Sequence, residues 1–253
     1  MKKILSLVLL FIVSFIGFVV YLAPAAVVLD YAKPYLGKSV QLSGVSGTVW
    51  QGNAQQASVN SQTLNNITWQ LKPLNLFTGT IAVDIKFGKL RGFDSPYGKG
   101  SIALPLGFDM VTLDTVSVRV PADMVMKNAQ LPMPLPAKGN IKLAVKNANI
   151  LLQDKSKLCT ELSGQVETHN LSVQGLQGWI EFDTIEGALG CSSGAISLAV
   201  TKANQLGLQL EAEYGKSGVK MSGFVKPDSS MPKQLHDAVK FLGRPDGTGR
   251  YPL

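Results

Sequence analysis

From Val40 onward, apolar and polar residues alternate along most of the chain, and this alternation constrains the fold more than any other feature. Side chains of a strand point to opposite faces in turn, so each alternating stretch predicts a strand with one apolar and one polar face. The alternating apolar residues are Ile67, Trp69 and Leu71; Ile81, Val83, Ile85 and Phe87; Ile102, Leu104, Leu106 and Phe108; Val116, Val118 and Val120; Ile141, Leu143 and Val145; Ile196, Leu198 and Val200; and Leu206, Leu208 and Leu210.

Strands this numerous, separated by turn residues rather than by helical patterns, predict a mainly β, antiparallel architecture. One late helix is predicted over residues 232–242, with Ser229 or Ser230 as its cap and Gly243 as its stop. Its apolar face is formed by residues at helical spacing: Leu235, Ala238, Val239 and Leu242. A further short helix is expected in AAVVLDYAK, before Pro34.

The amino-terminal region holds the longest uncharged stretch of the chain. No charged residue occurs from Ile4 to Leu29. A helix that ends before Pro24 would span about 30 Å at ~1.5 Å per residue, which is the thickness of a bilayer core. Residues 1–24 are therefore predicted to form a transmembrane anchor, and residues 25–253 a β-rich domain.

Lys2 and Lys3 predict the orientation of this anchor, because basic residues stay on the cytoplasmic side. The remainder of the chain is then exported. A cleaved signal peptide is the alternative, since Ala23-Pro24-Ala25 loosely fits a small-x-small cleavage site. The apolar run is longer than that of a signal peptide, and proline disfavours cleavage. We therefore favour an uncleaved anchor.

A proline-rich segment, LPMPLPAKG at 131–139, predicts a linker or an edge crossing. It divides the exported part into stretches of similar size, 38–130 and 137–253. GTVWQGNAQQASV in the first stretch loosely resembles GNIKLAVKNANILL in the second. Two similar halves are therefore an alternative to one continuous domain.

Charge and motif content exclude several classes of function. The net charge is +7, but the basic residues are scattered and form no run of five or six, so no nucleic-acid surface is predicted. The sequence has no P-loop, no G-x-S-x-G nucleophile motif and no H-E-x-x-H zinc motif.

The isolated polar residues do not form a catalytic pattern. His169 and His236 are expected to be solvated or packed, and neither has metal-ligand spacing to a cysteine. Glu181 and Asp183 share a predicted strand face, whereas Glu186 lies an odd number of residues away, so a solvated surface is the expectation. We predict no enzymatic activity, no cofactor and no metal.

Cys159 and Cys191 are the two cysteines, and both lie in the exported part. An oxidising compartment favours a disulfide between them. Closing such a loop would stabilise the fold by roughly 3–4 kcal/mol in the chain-entropy model. Two buried free thiols are the alternative.

Trp50 lies in an uncharged segment, SGTVWQGNAQQASVN, and Trp69 lies in the next predicted strand. Trp50, Gly52 and Ala54 share a face if this segment is a strand. Two tryptophans on neighbouring strands commonly pack together in a sheet core. We therefore predict that Trp50 and Trp69 are structural core residues, with a ligand platform as the alternative for Trp50.

Several short motifs occur in a fixed order. They are GTVWQGNA at 47–54, WQLKP at 69–73, CTELSG at 159–164, LGCSSG at 189–194 and LGRPDGTGRYPL at 242–253. Together with a single anchor and an exported β-rich domain, this arrangement resembles the type II secretion system protein N family, the general secretion pathway protein N of Gram-negative bacteria. The resemblance spans nearly the whole chain.

The resemblance implies a non-catalytic accessory subunit in the machinery that exports folded proteins from the periplasm across the outer membrane. It implies other subunits of that apparatus as partners, and a single-pass inner-membrane protein with most of its chain in the periplasm. Cys159 and Cys191 match the family's paired cysteines, and Trp50 and Trp69 match its tryptophans. We expect family members to continue for a further strand after Tyr251.

The sheet is expected to be long and curved, and this leaves a second function open. Curved sheets with one apolar face form grooves for acyl chains, so a periplasmic lipid-binding or lipid-transfer protein is the alternative. Unpartnered strand edges would favour a scaffold. A continuous apolar trough open to solvent would favour lipid handling.

Overall fold

The computed structural model describes residues 2–32, 40–59, 62–128, 136–153, 157–175, 177–216 and 218–253. The chain forms two compact units, Met1–Gly88 and Lys89–Leu253. Most of the predicted proline-rich linker lies outside the described residues, and the division into similar halves remains a prediction.

The first unit combines helices with an antiparallel sheet. Strand β3 pairs with β1, β2 and β4, and β4 pairs with β5. The described elements are α1 (Lys2–Tyr21), α2 (Ala25–Ala32), β1 (Val40–Ser43), β2 (Ser46–Gly47), β3 (Gln51–Val59), β4 (Gln62–Leu71), α3 (Pro73–Leu76) and β5 (Thr80–Phe87).

Helix α1 is the apolar segment predicted as the anchor. Its stretch Lys3–Tyr21 is the one helix in the described part of the chain that is long and apolar enough to cross a membrane. None of this stretch is buried inside the protein, so its apolar side chains have no protein core to pack into. The helical hydrogen bonding continues to Leu22, whose N–H donates to the Phe18 carbonyl at 2.9 Å. The helix thus ends before Pro24, as predicted.

The second unit is an antiparallel sheet with two short helices. Strands pair in the order β6-β7-β8-β9-β11-β12-β13-β14-β15, and β10 pairs with β9. The described elements are β6 (Tyr97–Pro105), β7 (Met110–Pro121), α4 (Ala122–Asn128), β8 (Ala137–Leu151), β9 (Cys159–Gly175), β10 (Gly178–Glu181), β11 (Glu186–Ser192), β12 (Ala195–Val200), β13 (Gln209–Gly215), β14 (Gly218–Val225), α5 (Lys233–Ala238), a 3-10 turn (Val239–Leu242) and β15 (Tyr251–Pro252).

The predicted mainly β, antiparallel fold with an amino-terminal apolar helix and a late helix is confirmed. Burial is shallow, since no large side chain among the described residues is fully buried. One buried cluster lies beneath the late helix, where Leu235 packs with Ile180 and Met231. Phe182 and Leu206 are partly buried against it.

Two of the predicted strands are wrong at their ends. Leu106 and Phe108 lie beyond β6, because the chain turns after Pro105, whose carbonyl accepts the Phe108 N–H at 2.9 Å. Leu206 and Leu208 precede β13. Their alternation is interrupted by a turn at Asn204, whose side-chain oxygen accepts the Leu208 N–H at 3.0 Å. The alternating pattern by itself does not reveal such turns.

The late helix is confirmed, but its predicted cap is wrong. No side-chain oxygen caps α5, which begins after Pro232. The Ser230 N–H instead donates to the Asp228 carboxylate at 2.9 Å in a turn before the helix. Gly243 does end the helical stretch, with φ at +130°, a region that favours glycine.

Candidate functional site: the anchor junction and the sheet edge

The carboxyl end of α1 is joined to the segment that precedes β3. The Val49 N–H donates to the Ala23 carbonyl at 3.1 Å. Pro24 and Thr48 form an antiparallel bridge, and Ala25, at the start of α2, is buried. Backbone pairing therefore begins directly after the membrane-length helix.

Two indole N–H groups reinforce this junction. Trp50 Nε1 donates to the Val20 carbonyl at 2.9 Å, and Trp69 Nε1 donates to the Val49 carbonyl at 3.1 Å. The last carbonyls of a helix lack partners within the helix. The Val20 carbonyl accepts the Ala23 N–H at 3.3 Å, and Trp50 supplies it with a second donor across a separation of 30 residues.

Gly52 makes room for the second of these rings. It opposes Trp69 across the β3–β4 pair. A Cβ atom at Gly52 would lie 2.3 Å from Trp69 Cζ2 and 2.7 Å from the Ser46 carbonyl oxygen. Only glycine allows the Trp69 indole to lie this close to the strand, so the second glycine of GTVWQG has a steric reason.

The structure places Trp50 just before β3 and leaves both Trp50 and Trp69 half-buried. Their role as core residues remains a prediction. What the sequence did not indicate is that each indole is also a hydrogen-bond donor to the junction. No local pattern links Trp50 to Val20, so the contact has no sequence signal.

Cys159 and Cys191 form a disulfide in the second unit, with their Cα atoms 5.6 Å apart. It joins the beginning of β9 to β11. The two strands pair over Gly164–Glu167 and Glu186–Leu189, so the disulfide lies beyond the end of this pairing. Cys159 is buried, and its N–H donates to the Gly194 carbonyl at 2.9 Å.

An apolar face runs across the strands of the second unit. Strand registers place one apolar row on neighbouring strands, from Val118 through Leu143 to Val166. A second row runs from Leu189 through Leu198 and Ala212 to Met221. Most of these side chains are half-buried. The row ends at β14, where Val219 and Met221 are 70% and 57% exposed.

The outer edge of β14 is open along part of its length. Strand β15 pairs only with Phe224 and Val225, and the Leu253 N–H donates to the Gly223 carbonyl at 3.0 Å. Backbone groups on one side of an antiparallel strand recur every second residue. Those of Val219 and Met221 therefore point to the same edge as Gly223, and no strand in the described part of the chain pairs with them there.

The closing segment folds around Asp246 before it reaches β14. The Asp246 carboxylate accepts the Thr248 N–H at 2.8 Å, the Thr248 hydroxyl at 2.7 Å and the Arg250 N–H at 2.9 Å. These hydrogen bonds, led by that from Arg250, lower the pKa of Asp246. The Arg250 guanidinium lies over the Phe224 ring, 4.3 Å from its centroid. The segment thus holds β15 against β14.

The isolated polar residues are not brought together into a site. No group of three or more His, Cys, Asp or Glu side chains in the described residues has the geometry to hold a metal. Glu186 contacts Lys202, raising the pKa of that amine. His169 lies 3.3 Å from Glu167 and is exposed. Both pairs are at least partly exposed to solvent.

Comparison with known proteins gives a consistent result. The family model described as type II secretion system (T2SS), protein N, matches residues 38–253. The chain is 28% identical to type II secretion system protein N of Vibrio cholerae, over 100% of this chain and 98% of that protein. It is equally similar, with the same coverage, to the protein of that name in Aeromonas hydrophila. The Klebsiella pneumoniae protein is 26% identical over 86% of this chain and 82% of its own. No solved structure matches.

Proposed function

Because the chain belongs to the type II secretion system protein N family, as the match over residues 38–253 shows, we propose that it is an accessory, non-catalytic scaffold of a type II secretion apparatus. In this role it would hold other subunits in place while folded proteins pass from the periplasm across the outer membrane. Its partners would be subunits of the same apparatus.

The proposal includes an uncleaved inner-membrane anchor with residues 25–253 in the periplasm. Observations at both ends of α1 support it. The carbonyls that accept from Trp50 and Val49 belong to Val20 and Ala23, so cleavage near Ala25 would remove both acceptors. Lys2 and Lys3 at the other end favour the cytoplasmic side.

The open edge of β14 is the observation that carries the scaffold role. A strand with unpaired N–H and C=O groups accepts a further strand from a partner, and exposed side chains beside it provide specificity. Val219 and Met221 combine outward backbone groups with exposed apolar side chains. An extended segment of another subunit would pair with this edge and cover those side chains.

The test replaces Val219 and Met221 with lysine, since charged residues at a sheet edge oppose strand addition. Secretion is measured in a strain whose only copy carries both substitutions, together with co-purification of apparatus subunits. Both should fall several-fold while the protein's abundance stays unchanged.

Phe241→Lys is the matched control, because Phe241 is 94% exposed and lies outside any strand edge. It should leave secretion intact. Normal secretion and subunit recovery in the edge variant would refute the scaffold role of β14.

A second candidate function, lipid binding, rests on the half-exposed apolar row through Leu189, Leu198 and Met221. An acyl chain lying along this row would bury it. Leu198→Asp should then reduce the phospholipid that stays bound to the full chain after purification in a mild detergent. An equal lipid content in both proteins would exclude the row as a lipid site.

A further inference from the structure

Two large apolar side chains project into solvent from the turn between β4 and β5. Leu74 is 77% exposed and Phe77 is 89% exposed. They lie three residues apart on the helical turn that begins at Pro73, which places them on the same side of it. Leu76, between them, is half-buried. The turn therefore partly buries one apolar side chain and exposes two others to solvent.

Hydrogen bonds fix this turn. The Phe77 N–H donates to the Leu74 carbonyl at 3.3 Å, and the Gly79 N–H donates to the Leu76 carbonyl at 3.0 Å. The Thr78 hydroxyl donates to the Asn75 carbonyl at 2.8 Å. The exposure of Leu74 and Phe77 is thus a property of an ordered element.

The turn lies at the end of the sheet to which the anchor is joined. Strand β4 ends at Leu71, whose N–H donates to the Trp50 carbonyl at 2.7 Å. The indole of the same Trp50 donates to Val20, at the end of α1. Only two residues separate Leu71 from the exposed Leu74. A chain of direct contacts therefore leads from the membrane-length helix to the turn.

Helix α2, which follows the anchor immediately, also exposes apolar side chains. Val27 is 50% exposed, Val28 42% and Tyr31 79%, whereas Ala25 is buried. Tyrosine is enriched where a membrane meets water. Apolar exposure at this end of the first unit is thus shared by two separate elements.

We propose that Leu74 and Phe77, together with the exposed face of α2, insert into the interfacial layer of the bilayer that α1 spans. Continuity with α1 identifies the occupant as lipid, because α2 follows α1 directly and the turn is linked to the end of α1 through the hydrogen bonds of Trp50. Lys72 lies at the base of the turn, paired with Asp84 at 2.9 Å and still partly exposed, where its ammonium can reach phosphate headgroups. Insertion of apolar faces to about 5–10 Å is usual for such interfacial elements.

This inference rests on α1 as a membrane anchor and is independent of the scaffold role of β14. Its consequence is that the first unit contacts the membrane at more than one point. A single helix lets an attached domain rotate and tilt, whereas additional apolar contacts beside it fix the orientation of the sheet relative to the bilayer.

The test places an environment-sensitive fluorophore on Phe77→Cys in the full chain, reconstituted into vesicles of phosphatidylethanolamine and phosphatidylglycerol. The two native cysteines form a disulfide, so the new thiol alone reacts. Thr63→Cys is the matched control, because Thr63 is exposed at the opposite end of β4. Quenching is measured with spin-labelled lipids whose label lies near the headgroup or deep in the acyl chain.

The label at 77 should emit at shorter wavelength and be quenched several-fold more strongly by the shallow spin label than the label at 63. Equal quenching at both positions would overturn the proposal. The proposal would also be overturned if the label at 77 were exposed to water in vesicles but shielded from water in cell membranes that carry the apparatus. Such a result would identify a protein as the occupant. Alkaline extraction of the same vesicles tests α1 separately, because loss of the chain there refutes the anchor itself.

Discussion

The two compact units secure their strands in different ways. The first unit joins α1 to β3 and β4 through two indole N–H groups and the space left by Gly52. The second joins β9 to β11 through the Cys159–Cys191 disulfide, beyond the last paired residues. One arrangement depends on side-chain shape, and the other depends on a covalent bond.

Each unit is therefore vulnerable to a different kind of change. A disulfide acts mainly on the unfolded chain by shortening its loops, so its loss weakens a unit without changing the native contacts. The junction acts in the native state, where one misplaced methyl group displaces a ring. The first unit should therefore be indifferent to reductant, whereas the second should lose stability when its disulfide is reduced.

The largest expected effect is that of removing the disulfide. Cys159→Ser with Cys191→Ser should lower the free energy of unfolding of the second unit by about 3–4 kcal/mol in the chain-entropy model. Hydrogen exchange of the full chain, followed by peptide mass spectrometry, resolves the two units. Exchange should accelerate in the second unit only. Equal acceleration in both units would show that the disulfide also stabilises the first unit.

Gly52→Ala should have the opposite pattern. Its Cβ would lie 2.3 Å from Trp69 Cζ2, and such overpacking costs typically about 1–3 kcal/mol. Exchange should accelerate around β3 and β4 while the second unit is unaffected. Gly247→Ala is the control, since nothing lies within 4 Å of a Cβ at Gly247. An unperturbed Gly52→Ala protein would show that the Trp69 ring moves freely.

Trp50→Phe separates the hydrogen bond of Trp50 from the packing of its ring. The variant keeps an aromatic ring but removes the donor to Val20, which should cost about 0.5–1.5 kcal/mol. Trp50→Ala also removes the ring, so it should lower the thermal midpoint further if Trp50 is a core residue. An unchanged midpoint in Trp50→Ala, together with a clear secretion defect, would assign Trp50 to partner contact instead.

The smallest expected effect concerns the closing segment of the second unit and depends on pH. The pKa of Asp246 is lowered from its usual 3.8, chiefly by the Arg250 and Thr248 hydrogen bonds. The stability that this carboxylate provides is therefore present above pH 3.8 and is lost as the pH falls through the lowered value. Nuclear magnetic resonance of the Thr248 and Arg250 amides should show this transition in the native chain. Asp246→Asn should abolish it, and a transition that persists in that variant would assign it to another group.

Local sequence was sufficient for much of the fold. The uncharged run from Ile4 predicts α1, because apolar length is all that a membrane span requires. Alternation predicts β4, where Trp69 and Leu71 are half-buried and Gln70 is exposed. Alternation was insufficient near Leu106 and Leu206. At both places the apolar spacing extends beyond the strand into a turn that backbone or side-chain hydrogen bonds stabilise.

Composition, periodicity and motif order were enough to predict the membrane-length apolar helix, the antiparallel β class and the family. Three features became visible only in the folded chain: Trp50 donates to Val20, Trp69 lies over Gly52, and β14 keeps an open edge beside Val219 and Met221. Periodicity specifies only which face of an element is apolar. Contacts across 30 residues, and the strand on which a sheet ends, depend on how the elements pair.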